Sequence, residues 1–356
     1  MKFLLSDEQL AMADGLETLL AQQCPARRVH QIIDGDEAFE PGLWQKLLDF
    51  GVASVMVSEE YGGLGLELID LAIIAESLGQ HAAPVPFLGH VLATLAIAIG
   101  GSDAQRQRWL PRLAAGEVLA TVALGEGDAR WRPEEWTAGL TGQPVVKHAV
   151  PHGAEAKLLV VGMADGGLGL VEADGIGDIE RLDATDRTRP IDRVTLHAGA
   201  VEPLPGGQEA ASRLFDAAAV LLAADAFGGG SHCLSMSVAY AKEREQYGRP
   251  IGSFQAVKHQ LADMALRVEP GRGLYWYAAH AYNAIPDQSA YAAAQAKAHV
   301  CDAYLQAARD SVEAHGGIGF TWEHDAHIYL KRAIFDWAWL GQPSQHRQRA
   351  ADLIGW

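Results

Sequence analysis

A stretch of short β-prone runs lies between two long helical regions, and this order limits the possible folds more than any other feature. Within residues 119–206, runs such as "TVALGE" and "KLLVVGMA" are separated by Gly, Pro and Asp, which is typical of an antiparallel β sandwich or barrel. Apolar residues recur at helical spacing on either side. The sequence therefore predicts a mainly α protein with an all-α N-terminal domain (1–118), a central β domain (119–206) and a C-terminal helical bundle (207–356).

Charge and hydrophobic content exclude several classes of protein. The 356 residues carry a net charge of −17 without any Lys/Arg block, which argues against nucleic-acid binding. No apolar run approaches the roughly 18 residues of a membrane span. The start, "MKFLLSDEQ", has neither signal-peptide nor transit-peptide character, so a cytoplasmic location is expected. Cys24, Cys233 and Cys301 are too scattered for a disulfide framework or a zinc site, and we expect buried, reduced thiols.

The segment "HGGIGFTWEHD", residues 315–325, follows a long predicted helix. Gly316, Gly317 and Gly319 remove Cβ atoms from the backbone, which can then approach a ligand closely and offer N–H groups to a phosphate. An ordinary helix C-cap is the alternative. The His and Asp residues that follow lack the ligand spacing of a zinc site, so no metal is predicted.

A second segment, "REQYGRPIGSFQAVKHQLADM", covers residues 244–264. Arg244 and Tyr247 stand just before its Gly-Arg-Pro turn. A guanidinium at this place can hold a pyrophosphate oxygen while the aromatic ring packs against an adenine or a ribose. A solvated helix end is the alternative interpretation of Arg244.

Together with "VSEEYGGLGL" (57–66) and "TVALGE" (121–126), these segments resemble the acyl-CoA dehydrogenase family over essentially the whole chain. The resemblance implies a helical N-terminal domain, a middle β barrel or sandwich and a C-terminal four-helix bundle. It also implies FAD-dependent α,β-dehydrogenation of an acyl-CoA thioester, electron transfer to an electron-transfer flavoprotein, and a tetramer in which a neighbouring subunit brings the Gly turn to the flavin. The cofactor-binding residues implied in this way are Arg244, Gln246, Tyr247, Phe254, Gln255, Glu313, Gly316, Gly317 and Gly319.

The catalytic base of the family is missing from its usual places. The two positions where relatives carry a glutamate are Leu340 and Ala218 here, and neither side chain can take a proton. Asp225 is the only acid within the apolar stretch 217–230, where a carboxylate is costly unless it is exposed, paired or functional. Asp225 is therefore either the base or a structural residue that caps a helix or meets an arginine across the bundle. Asp216 is expected to be a capping residue.

Glu313 is a second departure, because relatives usually have Gln before the Gly turn. Its charge would lie beside the expected pyrophosphate. The two departures suggest a heterotetramer with a homologous chain, as in bacterial members that degrade steroid side chains, and the small residues of "AADAFGGGS" permit a roomy cavity for a bulky acyl group. A homotetrameric dehydrogenase, a non-catalytic structural subunit, an acyl-CoA oxidase or flavin monooxygenase, and a helical scaffold without cofactor remain the alternatives.

Overall fold

The computed structural model describes residues 4–139, 144–197 and 199–356. Its N-terminal part is helical, and the first helix begins with a capping box. The Ser6 hydroxyl accepts from the Gln9 N–H while the Gln9 side chain accepts from the Ser6 N–H, as the sequence predicts. The helices of this part are α1 (Asp7–Gln23), α2 (Ala26–Asp34), α3 (Pro41–Phe50), α4 (Leu68–Gln80), α5 (Phe87–Gly100) and α6 (Asp103–Ala114).

The central part consists of two sheets that do not close into a barrel over the described residues. Their strands are β1 (Ala120–Ala123), β2 (Val145–Pro151), β3 (Leu158–Gly162), β4 (Leu168–Glu172), β5 (Ile176–Arg181), β6 (Ile191–Leu196) and β7 (Glu202–Pro203). One sheet has the order β1-β3-β4-β7 and the other β2-β6-β5. The expected antiparallel pairing holds except between β1 and β3, which are parallel. The reason is that β2, which separates them in sequence, crosses to the second sheet, so β3 returns in the direction of β1.

The C-terminal part is a helical bundle around two long helices. Its elements are α7 (Gly207–Glu243), the hairpin strands β8 (Glu245–Gln246) and β9 (Arg249–Pro250), α8 (Gln255–Val268), α9 (Pro270–Ala284), α10 (Pro286–His315), α11 (Ala326–Ala338) and α12 (Pro343–Leu353). A single hydrophobic core runs through the N-terminal helices, the first sheet and this bundle. The mainly α class with a central β region is thus confirmed. No helix among the described residues is long and apolar enough to span a membrane.

Helices α4 and α7 pack with their backbones in direct contact. A Cβ atom added at Gly228 would lie less than 3.0 Å from backbone atoms of Glu76 and Gln80, and one added at Gly79 would meet the backbone of Asp225 equally closely. Only glycines permit such an approach. The small residues of "AADAFGGGS" therefore bring two helices together and do not create the roomy cavity that the sequence suggested.

Candidate functional site

The Gly turn after α10 presents bare backbone to its surroundings. Gly316 has φ +62°, a conformation that favours glycine. Cβ atoms added at Gly316 or Gly317 would meet nothing within 4 Å, whereas one at Gly319 would lie less than 3.0 Å from the carbonyl oxygen of Val312. Gly319 is thus required for internal packing, while Gly316 and Gly317 leave room for a close approach from outside.

Arg244 is the C-cap of α7 and begins an exposed hairpin. Tyr247 occupies the turn with φ +53°, and 93% of its surface is exposed. Its ring meets that of Phe254 edge-on at a centroid distance of 6.1 Å, and the Arg249 guanidinium lies 4.1 Å from the centroid of the same Phe254 ring. Within the described ranges, no carboxylate forms a salt bridge with Arg244, so its guanidinium is available to a ligand.

The Gly turn and the Arg244 hairpin lie at the same end of the bundle. The rings of Tyr240 and His315, in the last turns of α7 and α10, are 4.5 Å apart, and the Arg244 N–H donates to the Tyr240 carbonyl at 2.8 Å. Because helix C-termini carry partial negative charge, they repel an anion. An anionic ligand here depends on Arg244, because the Gly316 N–H already donates to the Glu313 carbonyl and the Thr321 N–H to the Ile318 carbonyl.

The other residues predicted to contact the cofactor surround these two segments. Gln246 and Gln255 are exposed, and Phe254 is half-buried beneath Tyr247. Glu313 is exposed in the last turn of α10, so its charge does lie beside the Gly turn. The structure therefore places the predicted cofactor residues at the same end of the bundle.

Asp225 is held in a buried ion-pair cluster. It is 3% exposed, and Arg332 donates to both its oxygens, Nε to Oδ2 at 3.0 Å and Nη2 to Oδ1 at 2.6 Å. Arg189 contacts Oδ1 as well. Burial by itself would raise the pKa of Asp225, but the two guanidinium groups outweigh it and lower that pKa. A carboxylate so engaged is a poor base, and we assign Asp225 the structural role of meeting arginines across the bundle.

The same cluster connects all three parts of the chain. Arg189 comes from the β5–β6 connection and Arg332 from α11, and Arg332 Nη1 also donates to the carbonyl of Ala83 at 3.2 Å. Asp336 accepts from Arg189 at 2.5 Å, and burial, followed by the charge of Asp225, raises the pKa of Asp336. These partners were not predicted from the sequence, although charges inside the apolar run "IYLKRAIFDWAWL" are the same signal that singled out Asp225.

The two positions where a base is usual are both sealed. Ala218 is fully buried, and Leu340 is 1% exposed with φ +66°. Asp216, expected to be a helix cap, instead pairs with Arg349 at 2.6 Å, and burial raises its pKa despite this contact.

The His and Asp residues after the Gly turn attach it to the N-terminal helices. His30 and Asp325 form a pair at 2.9 Å, and Trp322 Nε1 donates to Asp34 at 2.9 Å. His327 stacks on Trp322 at 4.4 Å. No group of three potential ligands for a metal occurs among the residues that the structure covers.

Comparisons with known proteins agree over both helical parts. A family model described as "Acyl-CoA dehydrogenase, N-terminal domain" matches residues 6–117, and one described as "Acyl-CoA dehydrogenase, C-terminal domain" matches residues 206–352. The chain is 32% identical over 346 residues to acyl-CoA dehydrogenase IpdE2 of Mycolicibacterium smegmatis, which covers 97% of this chain and 98% of that protein.

Solved structures give the same result. The chain is similar to a variant of the Tcur3481-Tcur3483 steroid ACAD, with a TM-score of 0.89, 32% identity and coverage of 98% of each chain. It is also similar to a chain of the ChsE4-ChsE5 complex from Mycobacterium tuberculosis, with a TM-score of 0.88, 26% identity and coverage of 99% of each chain.

Proposed function

The chain belongs to the acyl-CoA dehydrogenase family of oxidoreductases. We propose that it takes part in FAD-dependent α,β-dehydrogenation of an acyl-CoA thioester as one chain of a heteromer. A homologous partner supplies the catalytic base. Electrons then pass to an electron-transfer flavoprotein.

One observation supports the heteromer proposal: among the described residues, none of the positions considered for the base carries a free carboxylate. Leu340 and Ala218 are apolar and buried, and Asp225 is neutralised by two arginines. By contrast, Arg244 and the backbone of Gly316 and Gly317 are open at the surface. A chain that has cofactor-binding groups but no catalytic base can complete the site of a partner that has the base.

The residues present fit the diphosphate end of FAD. Because Gly316 and Gly317 have no side chains, phosphate oxygens can approach the backbone of the turn closely. Arg244 supplies the positive charge that the two helix C-termini cannot, and the exposed ring of Tyr247 offers a face for stacking. When bound, the flavin accepts the hydride that leaves the β carbon of the substrate.

The relatives favour a heteromer and a bulky acyl group. One similar structure is described as a steroid ACAD named for two proteins, and another as a complex of two named chains. We propose the same arrangement here, an α2β2 tetramer acting on an acyl-CoA with a large, steroid-like acyl portion.

Flavin content tests this proposal. We would purify the chain alone and together with a homologous chain, then measure flavin absorbance per chain. We expect the pair to hold about one flavin for every two chains and the chain alone to hold none. Since a charge-assisted hydrogen bond contributes about 1.5–3 kcal/mol, Arg244→Ala should weaken FAD binding by roughly tenfold to a hundredfold.

Arg193→Ala, which removes an exposed arginine of the β domain, is the matched control and should leave FAD binding unchanged. A chain that binds one flavin by itself and turns over acyl-CoA without a partner would refute the heteromer. Hydrogen peroxide formed in air in proportion to acyl-CoA consumed would identify an oxidase instead of a dehydrogenase.

A further inference from the structure

A loop of the β domain, residues 126–138, is tied at both ends by one buried carboxylate. Glu126 accepts from the N–H and hydroxyl of Thr137 at 2.8 and 2.7 Å and from the Ala138 N–H at 3.1 Å. The fully buried Lys147 donates to Glu126 at 2.6 Å. Burial would raise the pKa of Glu126, but the charge of Lys147 outweighs it and lowers the pKa. These hydrogen bonds hold the two ends of the loop together, and residues 126–138 are called the arch below.

The arch places Trp131, which is half-buried, against the ring of Trp339. Asp128 and Ala129, at its crown, both have positive φ, of +63° and +55°, a conformation that costs about 1 kcal/mol or more for a residue with a Cβ. Trp131 meets Trp339 at a ring distance of 5.7 Å, and Trp339 stacks on Phe335 at 5.9 Å. The contacts of Trp131 maintain the strained backbone of Asp128 and Ala129, and strain of this kind persists where the surrounding structure fixes the conformation.

Trp339 is itself fixed by the β domain. Its Nε1 donates to the Ala149 carbonyl of β2 at 2.9 Å, and its ring is almost fully buried. It immediately precedes Leu340, the residue at the position of the family's base. The aromatic stack thus spans the gap between the β domain and the turn that carries Leu340.

The remaining space beside Leu340 is too small for a substrate. A cavity of about 10 Å³ lies there, lined by Trp131, Phe215, Leu340, Gly341 and His346 among others. One water needs about 10–15 Å³, and a ligand of the size of an acyl thioester needs some hundreds of Å³.

We infer that Trp131 and Trp339 form an aromatic plug that closes this chain's own reaction position to acyl thioesters. The inference rests on the proposed function, since it concerns the site at which that substrate would react. It explains why the chain can contribute cofactor contacts to a partner and yet hold no substrate of its own. The two tryptophans determine which half of the assembly takes the acyl group.

The number of substrate-analogue molecules that each chain binds tests the plug. The probe is octyl-CoA thioether, which cannot be dehydrogenated, titrated by calorimetry into the purified chain. The wild-type chain should bind no equivalent of the thioether. The double variant Trp131→Ala/Trp339→Ala should bind about one equivalent per chain, with affinity at least about tenfold above that of the wild type. A wild-type chain that binds one equivalent, or a folded double variant that binds none, overturns the inference.

A second measurement on the wild-type chain covers the case in which the double variant does not fold. Hydrogen exchange of residues 126–139 and 339–341 should be the same with and without the thioether, and protection of both segments on adding it overturns the plug. Trp276→Ala, on α9, removes a tryptophan outside the plug and should leave binding at the wild-type level. The two proposals can be refuted separately. The number of thioether molecules bound per chain tests the plug, and the flavin content with and without the partner tests the proposed function.

Discussion

Replacing Gly228 with alanine is predicted to destabilise the protein, because no space exists for the added methyl group. The new Cβ would lie less than 3.0 Å from backbone atoms of Glu76 and Gln80 on α4. Backbone atoms cannot move aside as a flexible side chain can, so α4 and α7 must separate. Overpacking of this kind costs about 3 kcal/mol at the upper end of its usual range. Alanine favours the helix by up to about 1 kcal/mol over glycine, which leaves a net loss of about 2 kcal/mol.

Gly273→Ala on α9 provides the matched control, since a Cβ there would meet nothing within 4 Å. It should raise the free energy of unfolding by about 0.5–1 kcal/mol through helix propensity alone. Urea unfolding followed by far-UV circular dichroism measures both variants against the wild type. If Gly228→Ala were as stable as Gly273→Ala, the backbone contact between α4 and α7 would be absent, and a cavity for an acyl chain could lie between them.

Three further predictions follow from the ion-pair cluster and the Gly turn. Asp225→Asn should lose about 3–5 kcal/mol of stability at neutral pH, since it leaves buried guanidinium charge uncompensated. Because folding lowers the pKa of Asp225 from its unfolded value of 3.8, the carboxylate stabilises the protein above pH 3.8, and this stabilisation disappears as the pH falls through the pKa of the folded state. The wild type and the variant should therefore become equally stable in acid unfolding experiments. Gly319→Ala should lower the thermal unfolding midpoint because its Cβ would clash with Val312, whereas Gly317→Ala should leave that midpoint unchanged. Gly317→Ala should nevertheless weaken FAD binding to the assembly, measured by fluorescence titration, and equal binding would show that the open turn does not contact the cofactor.

The residues that could be predicted from sequence are those whose signals are local. The capping box of Ser6 and Gln9 lies within one turn of helix, and the glycines after His315 and the hairpin at Tyr247 are recognisable from neighbouring residues. The partners of Asp225 could not be predicted in this way, because Arg332 is 107 residues away in sequence and their meeting depends on how α7 and α11 pack. The parallel pairing of β1 and β3 escaped prediction for the same reason, since it depends on where the intervening strand goes.

The turn at Leu340 is held in place by groups other than the side chain of that residue. A leucine at φ +66° is strained, so the conformation must be maintained by groups outside the residue. His346 Nε2 donates to the Leu340 carbonyl at 3.0 Å; burial lowers the pKa of His346 to about 3, which keeps its ring neutral. The fully buried Lys297 donates to the carbonyls of Asp336 and, at 3.4 Å, of Gly341. None of these bonds involves the side chain at position 340. The backbone geometry therefore tolerates leucine or a carboxylate alike.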